Sequence, residues 1–297
     1  MSIAEKSRVG LRPTGLPVGV EVTGVDLSQE LDADTFATIE RAFNGNGVAY
    51  FRGQHLTPEQ LLRFSRRFGT LEKHVRQEYA LPGYPEIHLI SNVKDGERSI
   101  GSAYAGDDWH TDLCFMQKPS RCSLLYSVEV PVKDGKPLGD TEFCSAAYAY
   151  ETLPEDLKEA LRGRRAIFQY HRAQERKRRQ RAHDHPRPEL TAEQKAATPD
   201  IMHPAIRTHP ITGRKCLYVN QTYTFGLEGM TEEQSQPLLE RLYAHITRPD
   251  LVYRHKWQVG DLLMWDNCLT QHKAIADYAL PLRRLMYRTA IEGTVPF

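Results

Sequence analysis

The sequence predicts a mainly β protein with flanking helices, in which antiparallel strands form a sandwich or barrel. The first observation is a series of short strand-like segments, most of them after residue 86, separated by turn signals. The second is that helical segments are few and irregularly spaced, which argues against a parallel doubly wound sheet. The third is that no glycine-rich nucleotide loop is present. Together they favour an antiparallel fold over a nucleotide-binding α/β fold.

Length and composition indicate a globular protein with a large core. One domain with insertions or two domains would both fit them, and we expect one domain over residues 1–297. The chain is 40% hydrophobic, and its 39 Lys and Arg balance its 38 Asp and Glu. This balance gives no reason to expect nucleic acid or a membrane as a partner. The sequence contains no apolar run long enough for a membrane span, and its first residues form no apolar signal core. We therefore expect a cytoplasmic protein.

The cysteines are consistent with that compartment. There are 5 of them, an odd number, and no two form a C-x-x-C pair. This pattern fits reduced thiols better than a disulfide framework. We expect the thiols to pack as small apolar side chains, because nothing else in the sequence indicates thiolate chemistry.

The N-terminal elements follow from local patterns. Alternating side chains predict strands over 18–27 and 48–51. A helix is predicted over about 35–44, with Asp34 as its N-cap and an apolar face. A second helix is predicted to begin after Thr57. Thr57 would be its N-cap, Pro58 its first-turn proline and Gln60 its capping-box glutamine.

Strand patterns dominate the rest of the chain. They cover 87–90, 122–130, 141–143, 166–170, 205–209, 215–219, 251–257, 261–265 and 284–291, and a turn at 212–213 joins the fifth and sixth into a hairpin. Helices are predicted over about 145–152, 154–162 and 231–246. In the last of these the regular part should begin near Ser235, because Pro237 does not fit a helix interior.

A basic insertion is predicted over about 171–203. Residues 175–181 read Glu-Arg-Lys-Arg-Arg-Gln-Arg. The segment could contact a polyanion, or it could be a solvated insertion or mobile lid over the fold. The near-neutral charge of the whole chain favours the second interpretation. His183 and His185 lack the carboxylate and distant histidine that a metal site would need.

A short motif, His110-Thr111-Asp112, indicates a metal site. If the segment is extended, both side chains point to one face. One imidazole and one carboxylate are two thirds of a two-histidine, one-carboxylate triad, which suits iron(II) because it leaves coordination positions open. The third ligand should be a distant histidine, His272. The motif alone does not decide, since about 0.65 such triplets are expected by chance in a chain of this composition.

Four motifs together remove the ambiguity. They are Trp109–Asp112, Gly139–Thr141, Trp265–Ala274 and Arg283–Arg288. In this order and spacing they resemble the taurine/2,4-dichlorophenoxyacetate dioxygenase family, whose members are iron(II)- and 2-oxoglutarate-dependent oxygenases with a double-stranded β-helix (jelly roll) core. The resemblance covers nearly the whole chain, from Gly24 to Gly293.

The resemblance implies a role for each matching position and no catalytic residue beyond the iron centre. The implied iron ligands are His110, Asp112 and His272; the implied 2-oxoglutarate ligands are Thr141 and Arg284; the implied substrate ligands are His74 and Arg288. The chain departs from the taurine enzyme at Val75, which replaces a proline, in a longer loop before Thr141, and in one residue added between His272 and Arg284. These departures bear on the substrate rather than on the class.

The two arginines suit these roles chemically. A guanidinium presents a planar fork that matches a carboxylate. On a strand, Arg284 and Arg288 would share one face about 13 Å apart. No acidic residue near Arg288 in sequence obviously neutralises it, so we expect the substrate to carry an anion. We expect Tyr223 to contact the substrate, with Phe225 and Val75 as further wall residues.

The expected function is therefore hydroxylation of a small anionic substrate, a sulfonate, carboxylate or sulfate ester. The resemblance implies Fe(II), 2-oxoglutarate and O2 as requirements, with succinate and CO2 as products. We also expect a homo-oligomer, a dimer or tetramer. Two alternatives remain open at this point. A zinc-dependent hydrolase could use the same ligands, although it gives no reason for the spacing of Arg284 and Arg288. A non-catalytic jelly-roll binding protein would form no succinate.

Overall fold

The computed structural model describes residues 9–74, 76–103, 106–180 and 189–297. The strands are β1 (Gly10–Pro13), β2 (Val20–Thr23), β3 (Val48–Phe51), β4 (Ala80–Leu81), β5 (Tyr84–Ser91), β6 (Lys94–Asp95), β7 (Arg98–Ser99), β8 (Cys122–Glu129), β9 (Val132–Lys133), β10 (Lys136–Pro137), β11 (Thr141–Ser145), β12 (Arg165–Phe168), β13 (Ile201–Pro204), β14 (Ile206–Thr208), β15 (Lys215–Leu217), β16 (Thr224–Leu227), β17 (Tyr253–His255), β18 (Leu262–Asp266), β19 (Thr270–Ala274) and β20 (Leu285–Ile291). The helices are α1 (Ala33–Asn46), α2 (Pro58–Arg66), α3 (Ala146–Glu151), α4 (Glu155–Leu161), α5 (Tyr170–Gln180), α6 (Ala192–Ala197) and α7 (Glu232–Ile246). A mainly β fold with flanking helices is thus confirmed.

One large sheet provides the frame of the molecule. Its order is β1-β2-β3-β18-β8-β20-β5-β4. All neighbours are antiparallel except β2 and β3, which are parallel. Helices α1 and α2 cover one face, where Phe43 and Leu61 pack on Leu124 and Met264. This packing leaves the opposite face of β18, β8 and β20 available to the functional site.

A three-stranded sheet, β17-β11-β19, covers that opposite face. Phe143 from β11 packs against Leu125, Leu263, Trp265 and Met286 from the large sheet. These residues alternate with the ones that contact the helices, as expected for strands with two buried faces. The side chains between the two sheets are thereby held by both layers.

Several predictions from local sequence signals are confirmed. Thr57 and Gln60 form the capping box at the start of α2. The predicted hairpin is present, with β14 paired to β15 across the turn at 212–213. The long apolar segment forms β8, at the centre of the large sheet. All five cysteines are free and buried, as expected for packing residues.

Two predicted helix starts are wrong. The N-cap of α1 is Asp32 and not Asp34; Asp32 has an extended backbone and accepts the Thr35 N–H at 2.8 Å. Asp34 lies in the first turn, where its charge favours the helix dipole. Helix α7 begins at Glu232 and continues through Pro237. Pro237 has no N–H to donate to the carbonyl of Glu233, four residues earlier. Glu233 is exposed, so water can bind that carbonyl instead.

The basic segment is more firmly attached than predicted. It contains α5 and α6, and in α5 the side chains of Ala173 and Lys177 are buried. Lys177 pairs with Asp107 at 3.3 Å, close to the candidate metal ligand His110 in sequence. A fully solvated insertion is therefore wrong for α5. His183 and His185 lie outside the described residues.

Candidate active site

Two of the predicted ligands lie side by side although they are far apart in sequence. The His110 N–H donates to the His272 carbonyl at 3.1 Å, and the His272 N–H donates to the His110 carbonyl at 2.9 Å. This reciprocal pair is the local geometry of antiparallel strands. It sets the two imidazole rings 4.1 Å apart, centroid to centroid. His272 lies on β19, a strand that the sequence patterns did not indicate.

Asp112 completes a triad with these two histidines. Its Oδ1 lies 3.7 Å from His110 Nε2 and 3.8 Å from His272 Nε2. Ligand atoms about 2.1 Å from one ion are at most about 4.2 Å apart, so both distances suit a shared metal. Among the described residues, this is the one group of three such side chains whose ligand atoms meet within 4.8 Å. The structure thus brings together the three residues that the sequence indicated.

The backbone around the triad fixes its side chains. Just after Asp112 the chain turns through Leu113, whose φ is 51°, and the Asp112 N–H donates to Asn267 Oδ1 at 3.3 Å. His110 Nδ1 lies 2.8 Å from the Asp108 carbonyl. Because a carbonyl only accepts, Nδ1 carries the proton and Nε2 keeps a lone pair for a metal.

The second oxygen of Asp112 is surrounded by donors. Oδ2 accepts from Ser123 Oγ at 2.7 Å and Trp265 Nε1 at 3.2 Å, and it pairs with Arg288 Nη2 at 2.8 Å. Burial alone would raise the pKa of Asp112, but Arg288 and the nearby histidines hold that pKa well below its ordinary value. The carboxylate is therefore ionised and oriented, as a metal ligand has to be.

Arg284 is a buried cation without a carboxylate partner. Its side chain is 3% exposed, and its Nη2 has one long contact, 3.5 Å, with the Gly139 carbonyl. Its Nε has no hydrogen-bond partner, and no carboxylate lies within 4.0 Å, among the residues that the structure describes. Burial lowers the pKa of Arg284. A pocket guanidinium in this state suits an anionic ligand.

Gly139 allows Arg284 to occupy this place. Its φ is 76°, and a Cβ there would lie 3.1 Å from Arg284 Nε. Two residues later, Thr141 is buried on β11, and its Oγ1 accepts from Trp257 Nε1 at 3.1 Å. Since Trp257 uses a lone pair, the hydroxyl proton of Thr141 can still be donated to a ligand.

His74 and Arg288 line one small cavity of about 60 Å³, enough for a few water-sized groups. The Arg76 N–H donates to His74 Nδ1 at 3.1 Å, so Nε2 carries the proton of this histidine. The His74 ring lies 3.9 Å from that of His88. Burial, and then the charge of Arg288, lowers the pKa of His74 to about 4. The other lining residues are Glu72, Lys73, Glu86, His88, Leu113 and Ala290.

No acidic residue near Arg288 in sequence neutralises it, but one that is distant in sequence does. Arg288 pairs with Asp112. Sequence proximity could not indicate this pair, because the fold brings β20 and the 109–112 motif together from distant parts of the chain. Arg288 therefore has a carboxylate partner within the protein, and only its remaining N–H donors are available to an anionic substrate. Its Nε is buried and has no hydrogen-bond partner among the described residues.

The three predicted wall residues of the substrate pocket lie in different surroundings or outside the described residues. Tyr223 lies near the triad: its ring is 6.5 Å from that of His110 and 4.9 Å from that of Phe115. The ring of Phe225 lies beneath Arg172 and Arg176 from α5, and its place in the pocket wall stays a prediction. Val75 lies outside the described residues.

Three further residues of the site were not identified from sequence. Ser123 and Trp265 hold Asp112, and His88 stacks on His74. Ser123 had a detectable signal, since it is one of two serines on the mostly apolar strand β8. On a central strand with both faces buried, such a residue needs a specific partner.

Comparisons with known proteins agree with this geometry. The model of the family described as "Taurine catabolism dioxygenase TauD, TfdA family" matches residues 10–290. The alpha-ketoglutarate-dependent 2,4-dichlorophenoxyacetate dioxygenase of Cupriavidus pinatubonensis is 35% identical over 285 residues, covering 92% of this chain and 94% of that protein. The alpha-ketoglutarate-dependent sulfate ester dioxygenase of Pseudomonas putida is 31% identical, covering 96% and 90%.

A solved structure extends the comparison to bound groups. The crystal structure of AAD-2 in complex with Mn(II) and N-oxalylglycine matches with a TM-score of 0.79 and 26% identity. The match covers 97% of this chain and 99% of that chain. The similarity therefore spans both sheets and the candidate site.

Proposed function

This chain belongs to the TauD, TfdA family of dioxygenases and is a 2-oxoglutarate-dependent dioxygenase, and from that premise we propose the substrate class and the role of each site residue. The proposed reaction is hydroxylation of a small anionic organic substrate, a carboxylate, sulfonate or sulfate ester. Succinate and CO2 are the products formed from 2-oxoglutarate. Two relatives support this range of anions, because they are named as dioxygenases of 2,4-dichlorophenoxyacetate and of sulfate esters.

One observation carries the proposal. Asp112 directs Oδ1 towards Nε2 of both His110 and His272, at 3.7 and 3.8 Å. Two imidazoles and one carboxylate would hold Fe(II) on one side and leave the other side for ligands. When bound, Fe(II) supplies the oxidising chemistry with 2-oxoglutarate and O2. The role of these protein residues is to hold and orient the metal.

Arg284 and Thr141 are the proposed 2-oxoglutarate ligands. Arg284 would pair with the carboxylate far from the metal, which offsets the cost of keeping a guanidinium buried without a carboxylate partner. The Thr141 hydroxyl would donate to the same carboxylate, because Trp257 occupies one of its lone pairs and leaves its proton free. A zinc hydrolase offers no reason for this buried cation.

Arg288, His74 and Tyr223 are the proposed substrate ligands. Arg288 uses Nη2 for Asp112, and its buried Nε remains to donate to an anion. The protonated Nε2 of His74, which lines the same small cavity, could donate as well. The Tyr223 ring lies beside His110 and Phe115, where it would contact the apolar body of the substrate.

The wider organisation is also part of the proposal. We infer that the two facing sheets form a double-stranded β-helix and that residues 1–297 make one domain with residues 171–203 as its lid. Burial of Lys177 against Asp107 supports a lid that rests on the site. We further propose a homo-oligomer, a dimer or tetramer, in the cytoplasm. Among the described residues no helix is long and apolar enough to cross a membrane.

The substrate proposal is tested by matched pairs of compounds. Phenoxyacetates, alkyl sulfates and sulfonates are each compared with a neutral counterpart, such as the primary amide, and substrate-dependent succinate release is measured. We expect turnover with one or more of the anions and at least tenfold less with their neutral counterparts. Arg288→Gln should abolish this preference, whereas Arg283→Gln, at an exposed position, should retain it. Equal turnover of an anion and its amide would show that the anion is not recognised.

A further inference from the structure

Asp112, Ser123 and Arg288 form a closed triangle of two hydrogen bonds and one ion pair. Ser123 Oγ lies 2.7 Å from Asp112 Oδ2 and 3.1 Å from Arg288 Nη2. Arg288 Nη2 also lies 2.8 Å from Asp112 Oδ2. All three side chains lie between the two sheets and are largely shielded from solvent.

The protons in this triangle can be placed without ambiguity. An ionised carboxylate only accepts, so the single Ser123 hydroxyl proton is donated to Asp112. A guanidinium only donates, so Ser123 Oγ accepts from Arg288 through a lone pair. Ser123 Oγ and Asp112 Oδ2 lie too close together to accept the two Nη2 protons separately, so Arg288 donates to Ser123 and attracts Asp112 as an ion pair. The hydroxyl therefore cannot rotate without breaking both of its bonds.

The sheet fixes Ser123 in this place. Ser123 lies on β8, between β18 and β20, opposite Trp265 on one side and Ala290 on the other. Its exposed fraction is 0%. Trp265 is also the third donor to Asp112 Oδ2, at 3.2 Å. Two directly paired residues of adjacent strands thus hold the same carboxylate oxygen.

We propose that Ser123 is a positioning residue of the metal centre, which directs Asp112 Oδ1 to the metal by holding Oδ2. The inference rests on the proposed function only in that the triad binds a divalent metal. Without the hydroxyl, the carboxylate loses its shortest uncharged hydrogen bond and can move towards Arg288. The oxygen presented to the histidines is then no longer fixed. Groups that orient metal ligands commonly change metal affinity by about 10- to 100-fold when removed.

The experiment measures Mn(II) affinity by calorimetry on the full-length protein, without turnover. Ser123→Ala should weaken Mn(II) binding by about 10- to 100-fold. Ser123→Thr keeps the hydroxyl and should restore affinity to within about threefold of wild type. The matched control is Ser127→Ala: Ser127 is also buried on β8, but its hydroxyl donates to the Gln258 carbonyl. This control should stay within about threefold of wild type. Thermal melting confirms that each variant is folded.

The outcomes separate this inference from the proposed function. If wild type fails to bind Mn(II), both are wrong. If wild type binds and a folded Ser123→Ala binds equally well, only the positioning role is wrong. An equal loss in Ser127→Ala would also overturn it, since the effect would then come from the sheet in general. If Ser123→Ala does not fold, Trp265→Phe is measured instead, because it removes another donor to Asp112 Oδ2 and retains an aromatic ring. Unchanged Mn(II) affinity in Trp265→Phe would refute the proposal that donors to Oδ2 position Asp112.

Discussion

Replacing Arg284 by methionine should weaken 2-oxoglutarate binding and stabilise the ligand-free protein at the same time. Arg284 is 3% exposed, and no carboxylate lies within 4.0 Å of it among the described residues. If 2-oxoglutarate supplies the missing negative charge, loss of the guanidinium removes a buried charged hydrogen bond. Such a loss costs roughly 2–5 kcal/mol, which corresponds to an increase of about 30- to 4,000-fold in the KM for 2-oxoglutarate.

The stability effect has the opposite sign. Keeping a guanidinium buried without an anionic partner costs free energy in the ligand-free protein, and a methionine of similar length removes that cost. We expect the free energy of unfolding without 2-oxoglutarate to rise by about 1–4 kcal/mol, by analogy with the replacement of buried ionic groups by apolar ones. A residue that served only the fold would give the reverse result, a loss of stability with an unchanged KM.

The assays are succinate release against 2-oxoglutarate concentration, and thermal and urea unfolding of the ligand-free protein. Arg283→Met is the matched control, because Arg283 is adjacent but exposed and pairs with Glu129 at 2.8 Å. An exposed pair contributes about 0–1 kcal/mol, so this variant should change neither quantity appreciably. An unchanged KM in Arg284→Met, or a loss of stability in the ligand-free variant, would refute the reasoning.

Three further predictions concern the metal and its surroundings. His110→Ala, Asp112→Ala and His272→Ala should each abolish turnover and Mn(II) binding without loss of the fold, because a three-ligand site has no spare ligand; near-normal activity would remove that residue from the site. Burial and Arg288 lower the pKa of His74 to about 4. Folded His74 thus binds fewer protons than the unfolded chain between pH 6.5 and about 4, so stability should fall as pH falls through this window. His74→Gln should reduce that fall, as measured by urea unfolding at each pH, and an identical pH profile would contradict this. The enzyme should also hydroxylate without halogenating, because Asp112 fills the position that chloride would need; a chlorinated product in chloride buffer would show otherwise.

Local sequence signals predicted several elements of the fold. The capping box of α2 and the β14–β15 hairpin depend on a few adjacent residues, and both could be predicted from sequence. The choice between Asp32 and Asp34 as N-cap could not, because both are good caps and only the backbone conformation distinguishes them. Strand β19 was missed because its short, partly polar sequence shows no alternation, and its pairing with β11 defines it.

Some features of the candidate site could likewise be predicted from sequence, and others could not. The positions of His110, Asp112 and His272 could be anticipated because their motifs are distinctive, and the structure brings these residues together. The Arg288–Asp112 pair and the Ser123 contact could not, since both depend on register between distant segments. They change the interpretation of Arg288, which pairs with the candidate metal ligand Asp112 as well as lining the small cavity.

The stoichiometry of O2 uptake and succinate formation tests the central claim most directly. The metal-free protein is reconstituted with Fe(II) or with Zn(II) and supplied with 2-oxoglutarate and the panel of anions. With Fe(II) we predict equal amounts of O2 consumed and succinate formed, both dependent on an anionic substrate, and with Zn(II) we predict neither. Turnover of a substrate with Zn(II) in the absence of 2-oxoglutarate, or Fe(II)-loaded protein that forms no succinate with any of the anions, would contradict the account.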